Sequence, residues 1–196
     1  TQYDLRVKKS LEKSIIRNAY KNNIEIQGDL VCDSIESKKF KQLGELVDIN
    51  QAIALKGDKS LSVKSSYNKG CYKLIDGKHI GKYEINWGGD YLEYDLNRIH
   101  SCKRKDIFES EAKLFFRRVS SKLIFAYDEE QYFALNTLIV VNLKDNPNIS
   151  LKALIAILNS KVLNHYYLKK YKSTKTVFSE IQARTVKLLP IPSVSV

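Results

Sequence analysis

Two adjacent arginines, Arg117 and Arg118, stand inside the apolar run Leu114-Phe115-Phe116 … Val119. Neighbouring side chains on a strand point to opposite faces, so one of the two is expected to turn towards the more buried side. A guanidinium placed there needs an anion. Either a carboxylate of the same domain meets it, or its planar fork meets a nucleic-acid phosphate or a guanine edge. The residues alone leave both readings open. Two other groupings have the right residue types for chemistry. Glu111-Ala112-Lys113 matches the E-x-K half of a metal-dependent nuclease site, in which carboxylates hold magnesium and lysine assists the attacking water. It requires an acidic partner such as Asp95 or Asp106. Cys71, His79, His100 and Cys102 are zinc-ligand types, but their spacing is not a ligand pattern, and each fits as an ordinary strand or loop residue. There is no Ser-His-Asp arrangement and no glycine-rich phosphate loop.

The elements that must position the arginines are three strands. Leu114–Val119 and Leu123–Tyr127 are short, aromatic and branched, and Ser120-Ser121-Lys122 separates them. Thr137–Leu143 follows the polar turn Asp128–Gln131 and the extended piece Tyr132–Leu135. Such runs between polar turns signal hairpins. Leu138-Ile139-Val140-Val141 does not alternate with polar residues, which predicts a strand covered on both faces.

Around this core the chain reads as follows. Ser10–Tyr20 has helical spacing, and Ile24, Ile26, Leu30 and Val31 suggest a strand or hairpin arm. Leu43–Asn50 opens a strand that runs into the lysine- and serine-rich loop Lys56–Asn68. That loop is either simply solvated or a surface for phosphate contacts. Cys71–Ile75 is a strand, and Asp76-Gly77 turns it so that Lys78 and His79 are expected at the tip. Trp87, beside Gly88-Gly89, either joins the core or stacks on a base or sugar. Lys103-Arg104-Lys105 faces water or extends one basic stripe towards Arg117 and Arg118. Ser150 is a good N-cap. From Leu151 to Lys170 apolar residues recur at i, i+3, i+4, i+7, predicting one long, mostly buried helix. Lys172-Ser173-Thr174-Lys175 lies beyond it, in a stretch without an acidic residue from Leu151 to Ser179. Pro190 and Pro192 enforce an extended end.

The chain has 196 residues, enough for one domain with an appendage, and a net charge of +11 from 33 basic and 22 acidic residues. This balance points to a polyanionic partner, although basic globular proteins also exist without one. Hydrophobic content of 43% is that of a globular chain. Three cysteines without a C-x-x-C pair suit a reducing, cytoplasmic setting rather than a disulfide framework. No apolar run reaches the length of about 18 residues expected of a membrane span. The chain starts at Thr1 and contains no methionine, so it is expected to be a piece of a longer protein.

Several motifs in order resemble one family. These are the strand with paired arginines, the run S-K-L-I-F-A-Y-D-E-E-Q-Y-F-A-L-N-T-L, the helix L-I-A-I-L-N-S-K-V-L-N-H-Y-Y, and L-P-I-P. Upstream, L-G-E-L-V-D-I-N and the turn G-K-H-I add to the pattern. From about Leu43 to Pro192 the chain resembles the TaqI-like specificity domain. That module is the target-recognition domain at the C-terminal end of adenine-specific DNA methyltransferases and of fused restriction–modification enzymes.

The resemblance implies an α+β fold, with a twisted, mostly antiparallel sheet braced by the long C-terminal helix. Residues 1–42 would be a helical connector from an upstream methyltransferase domain, and residues 43–196 the recognition domain. It implies sequence-specific binding of double-stranded DNA without catalysis. Adenine methyltransferases hold their donor on a glycine-rich turn and the target base with a D/N/S-P-P-aromatic tetrapeptide. This chain has neither, since Asp145-Asn146-Pro147-Asn148 lacks the second proline and the aromatic. S-adenosyl-methionine is expected for the parent enzyme and no cofactor for this piece. The expected DNA contacts are Lys78, His79, Trp87, Arg104, Lys122, Asn136, Lys172, Ser173, Thr174 and Lys175, with Arg117 or Arg118 as base reader. Two rivals remain on the residues alone: a small metal-dependent nuclease built on Glu111 and Lys113, and a basic protein-interaction module.

Overall fold

The computed structural model of the protein describes residues 29–145, 149–171 and 179–192. They fall into two units, one up to Lys38 and one from Lys39 onwards. In the first, the Asp29 carboxylate accepts from the amides of Val31 (3.1 Å) and Cys32 (3.3 Å) and caps a helix over Leu30–Glu36. Leu30 and Val31 are therefore helical, not part of a strand or hairpin arm; the capping aspartate outweighs the β-preference of the apolar pair. The helix expected over Ser10–Tyr20, with Ile24 and Ile26, lies outside the described residues.

The second unit contains two four-stranded sheets. In the first, Leu138–Leu143 runs antiparallel between Lys113–Arg117 and Val47–Gln51, and Phe125–Asp128 lies outside Lys113–Arg117. Leu138, Ile139, Val140 and Val141 are at most 2% exposed, as their unbroken apolar run requires. In the second sheet, Cys71–Ile75 lies between antiparallel Tyr91–Glu93 and parallel Phe133–Ala134, and Val63–Lys64 forms the outer strand. Leu135, Asn136 and Thr137 carry the chain from one sheet to the other. The inner faces meet in one buried cluster, with Phe115, Leu138 and Val140 from the first sheet and Leu74, Ile75 and Leu92 from the second. Phe133 stacks between Phe108 (4.9 Å) and Tyr72 (4.2 Å). The architecture is α+β with mostly antiparallel pairing, as the sequence implies.

Several boundaries differ from the sequence reading: the strand expected over Leu114–Val119 ends at Arg117, so Arg118 lies beyond it, and the strand expected over Leu123–Tyr127 starts at Phe125. Leu43–Leu46 is a helical turn that precedes the strand Val47–Gln51, because the Glu45 carboxylate reaches back to the Gln42 amide (2.7 Å). Near the end, Ala183–Val186 forms a helical turn before Pro190–Ile191 extends and pairs with Lys41–Gln42.

The bracing helix is also not continuous. Ser150 caps it as expected, accepting from the Ala153 amide at 3.2 Å, but it runs only over Leu151–Leu158. A second helix covers Lys161–Tyr171, and Ser160 Oγ accepts from the Leu163 amide at its start. The break follows from buried Asn159. Its carboxamide accepts from the Phe125 N–H (3.0 Å) and donates to the Phe125 carbonyl (2.9 Å), standing in for a neighbouring strand. Asn164, from the second helix, accepts from the Leu123 amide at 2.8 Å. Apolar periodicity shows the shared buried face of the two helices but not the polar side chain that ends the first. Asn159→Ala orphans the Phe125 N–H, while the carbonyl keeps its second donor, the Tyr83 amide at 2.8 Å. The expected loss of stability is about 1–3 kcal/mol, measurable by urea unfolding.

Among the described residues no helix is long and apolar enough to cross a membrane.

Candidate nucleic-acid interface

The strand Lys113–Arg117 alternates as a strand should. Lys113, Phe115 and Arg117 share the face towards the second sheet, and Leu114 and Phe116 share the other. Arg117, half-buried, closes this row. Its Nε (3.1 Å) and Nη2 (2.5 Å) both donate to the Ile80 carbonyl, and no carboxylate of the described residues pairs with it. The clamp leaves the end-on fork, Nη1 with the remaining Nη2 hydrogen, without a partner among the described residues.

Arg118 follows the last residue of the strand and points the other way. Its Nε donates to Glu180 Oε1 at 2.9 Å and its Nη1 to the Asn136 carbonyl at 3.4 Å. The anion expected to meet one of the arginines is thus Glu180, on the partly exposed side of Arg118. The charge buried in this strand is not an arginine at all. Lys113 Nζ lies 2.6 Å from Asp128, its cross-strand partner, and both side chains are 0% exposed. Burial pulls the Lys113 ammonium below the usual lysine range, and the carboxylate opposes that pull. Lys113 is therefore committed to the core, and the E-x-K nuclease site is not formed. Nor do Cys71, His79, His100 and Cys102 form a ligand cluster among the described residues.

The turn after Cys71–Ile75 docks onto the same end of the sheet. Asp76 caps the short helical turn Gly77–His79, and the Gly77 amide donates to Thr137 Oγ1 at 2.8 Å. Lys78 is exposed at the tip, but His79 is not: it is 7% exposed, and its Nδ1 accepts from the Asp76 amide at 2.9 Å. A Cβ on Gly88 would come within 2.5 Å of His79 Nε2, so Gly88 is what lets the histidine fold inwards. His79 thus shapes the turn rather than standing at its tip.

The remaining expected contacts divide. Asn136 sits between the sheets; its amide donates to the Ile53 carbonyl, and its side-chain carboxamide makes no hydrogen bond among the described residues. Lys122 is exposed in the turn before Phe125–Asp128. Lys78, Arg117, Arg118 and Asn136 are tied to one end of the sheet through Thr137 and Ile80, neither of which the sequence reading singled out. Trp87 is half-buried on the second sheet, edge-on to Tyr91 (5.1 Å), with its Nε1 donating to the Asp90 carbonyl; its setting is that of a core-flanking ring. Arg104 is exposed but grips Asp106 with two hydrogen bonds, and Lys105 pairs with Glu109 at 2.7 Å, so this basic run is largely neutralised locally. Lys172, Ser173, Thr174 and Lys175 lie outside the described residues. Glu180 did leave a signal: it is the first acidic residue after the acid-free stretch from Leu151 to Ser179.

The α+β scaffold thus brings Lys78, Arg117, Arg118 and an Asn136 carboxamide without a hydrogen bond among the described residues to one sheet end. The chain matches the family model of the TaqI-like C-terminal specificity domain over residues 72–191, and it belongs to that family. A solved structure of the HsdS subunit from Thermoanaerobacter tengcongensis is similar to it at 14% identity and a TM-score of 0.42. The likeness covers 97% of this chain and 44% of that one, so the chain spans less than half of that subunit. No curated protein matches the chain.

Proposed function

We propose that this domain recognises double-stranded DNA by sequence, as the specificity module of an adenine-methylating restriction–modification enzyme whose catalytic centre lies in another domain. The observation that carries the reading is Arg117, a half-buried guanidinium clamped by a backbone carbonyl and left without an acidic partner among the described residues. A free end-on fork held in one orientation suits the O6 and N7 acceptors of guanine in the major groove. The carboxamide of Asn136, without a hydrogen bond among the described residues, suits the N6 and N7 edge of adenine. Lys78, exposed on a turn pinned to the same sheet, positions the phosphate backbone.

In the parent enzyme an upstream methyltransferase domain holds S-adenosyl-methionine and takes the target adenine out of the stack, while the present domain fixes the register. The chain by itself transfers no methyl group. The burial of Lys113 against Asp128 speaks against the nuclease rival. A filter-binding series against salt separates positioning from reading. Lys78→Ala should weaken all duplexes about equally and make the slope of log K against log salt shallower by about 0.9. Sequence-dependent weakening by Lys78→Ala contradicts its place as a backbone contact.

A further inference from the structure

Glu180 is an unexpected residue to find beside a face that meets DNA. A duplex carries a negative charge about every 1.7 Å of its axis, so a fixed carboxylate there opposes binding to any sequence. It is fixed: Glu180 pairs with Val119 in a two-residue antiparallel ladder, and the Ile181 amide donates to the Arg118 carbonyl at 2.7 Å. The Glu180 side chain is 49% exposed and that of Arg118 31%, so the pair contributes little to stability. Its effect falls on what binds. Arg118 also donates to the Asn136 carbonyl and is held on two sides, whereas Arg117, one residue away, has no acidic partner among the described residues.

We propose that Glu180 limits the strength of sequence-independent DNA binding at this face. Anchored in its ladder, it neutralises Arg118 and so withholds one phosphate contact from duplexes of any sequence. Sequence-independent attraction falls for cognate and non-cognate duplexes alike, while reading by the neighbouring Arg117 and Asn136 is untouched, so a larger share of the total affinity depends on sequence and the salt dependence is shallower. The inference rests on the DNA-reading function proposed above.

The test uses the 196-residue chain and two probes: the duplex enriched by selection from a randomised pool, and mixed-sequence genomic fragments. Glu180→Gln keeps size and backbone and removes the charge. It is expected to bind both probes severalfold more tightly, to steepen both salt slopes by about 0.9, and to leave the cognate-to-mixed ratio unchanged. Adding Arg118→Gln should abolish the gain, because the released charge is then gone. Melting curves confirm that both variants fold. If the wild-type chain enriches a sequence but Glu180→Gln leaves mixed-fragment affinity and slope unchanged, or weakens both probes alike, Glu180 has no such role. If the gain survives Arg118→Gln, the carboxylate acts through general charge and the proposal is likewise overturned. If the wild-type chain enriches nothing, the DNA-reading function itself fails, and this inference with it.

Discussion

Asp128→Ala is expected to destabilise the domain by about 3–5 kcal/mol, because it leaves Lys113, 0% exposed, as an uncompensated buried charge. The loss is compounded locally: the amides of Glu130 (2.8 Å) and Tyr132 (3.1 Å) donate to the same carboxylate and lose their acceptor. The partner double variant, Lys113→Met with Asp128→Leu, should recover much of the loss, since apolar replacement of a buried pair is often near neutral. A pH signature separates this from a simple packing defect. In Asp128→Asn the opposing carboxylate is gone and burial dominates, with the Phe108 carbonyl at 2.6 Å the remaining acceptor of the ammonium, so the folded pKa of Lys113 lies below its value when unfolded. The unfolded chain then binds more protons in the window below the ordinary lysine value of 10.5, and the variant's stability must rise with pH through that window. Urea unfolding across the window measures it. A variant that melts like wild type would contradict a paired, buried Lys113.

Arg117→Lys should keep the fold and the charge yet lose discrimination at one base pair by roughly 1–3 kcal/mol, the worth of a bidentate contact to guanine. The reason is geometric. Arg117 gives Nε and Nη2 to the Ile80 carbonyl and still has a two-pronged edge to offer, whereas a lysine ammonium is a single point on a flexible stem and cannot do both. Arg118→Lys should change base preference far less, because its guanidinium is engaged by Glu180 and the Asn136 carbonyl. Selections on randomised duplexes with each variant compare the two directly. Equal loss of preference in both would show that the two arginines do not divide the work in this way.

The sheet was legible in the sequence because burial writes itself into periodicity. The unbroken Leu138–Val141 run could only be a covered central strand, and the polar turns around it set the limits of its neighbours. The opposite facing of Arg117 and Arg118 also follows from the two-residue period. What periodicity cannot carry is the identity of partners far along the chain. Glu180 reaches Arg118 across 62 positions and Thr137 reaches the Gly77 amide across 60. Lys113 was legible as a candidate for chemistry but not as a core residue, since its anion, Asp128, reads as the first residue of a surface turn. Asn159 breaks the bracing helix for a similar reason: its carboxamide satisfies a strand 34 residues upstream. His79 folds inwards only because Gly88 leaves room for it, a steric fact with no local signature.

The central claim is that the sheet end around Arg117 reads base pairs in duplex DNA. Its most direct test is selection of the 196-residue chain on a randomised duplex pool, repeated with Arg117→Lys. The account predicts that the wild-type chain enriches a short motif containing a guanine whose identity becomes relaxed in the variant, with the rest of the motif retained. A motif that survives Arg117→Lys unchanged at every position would contradict it.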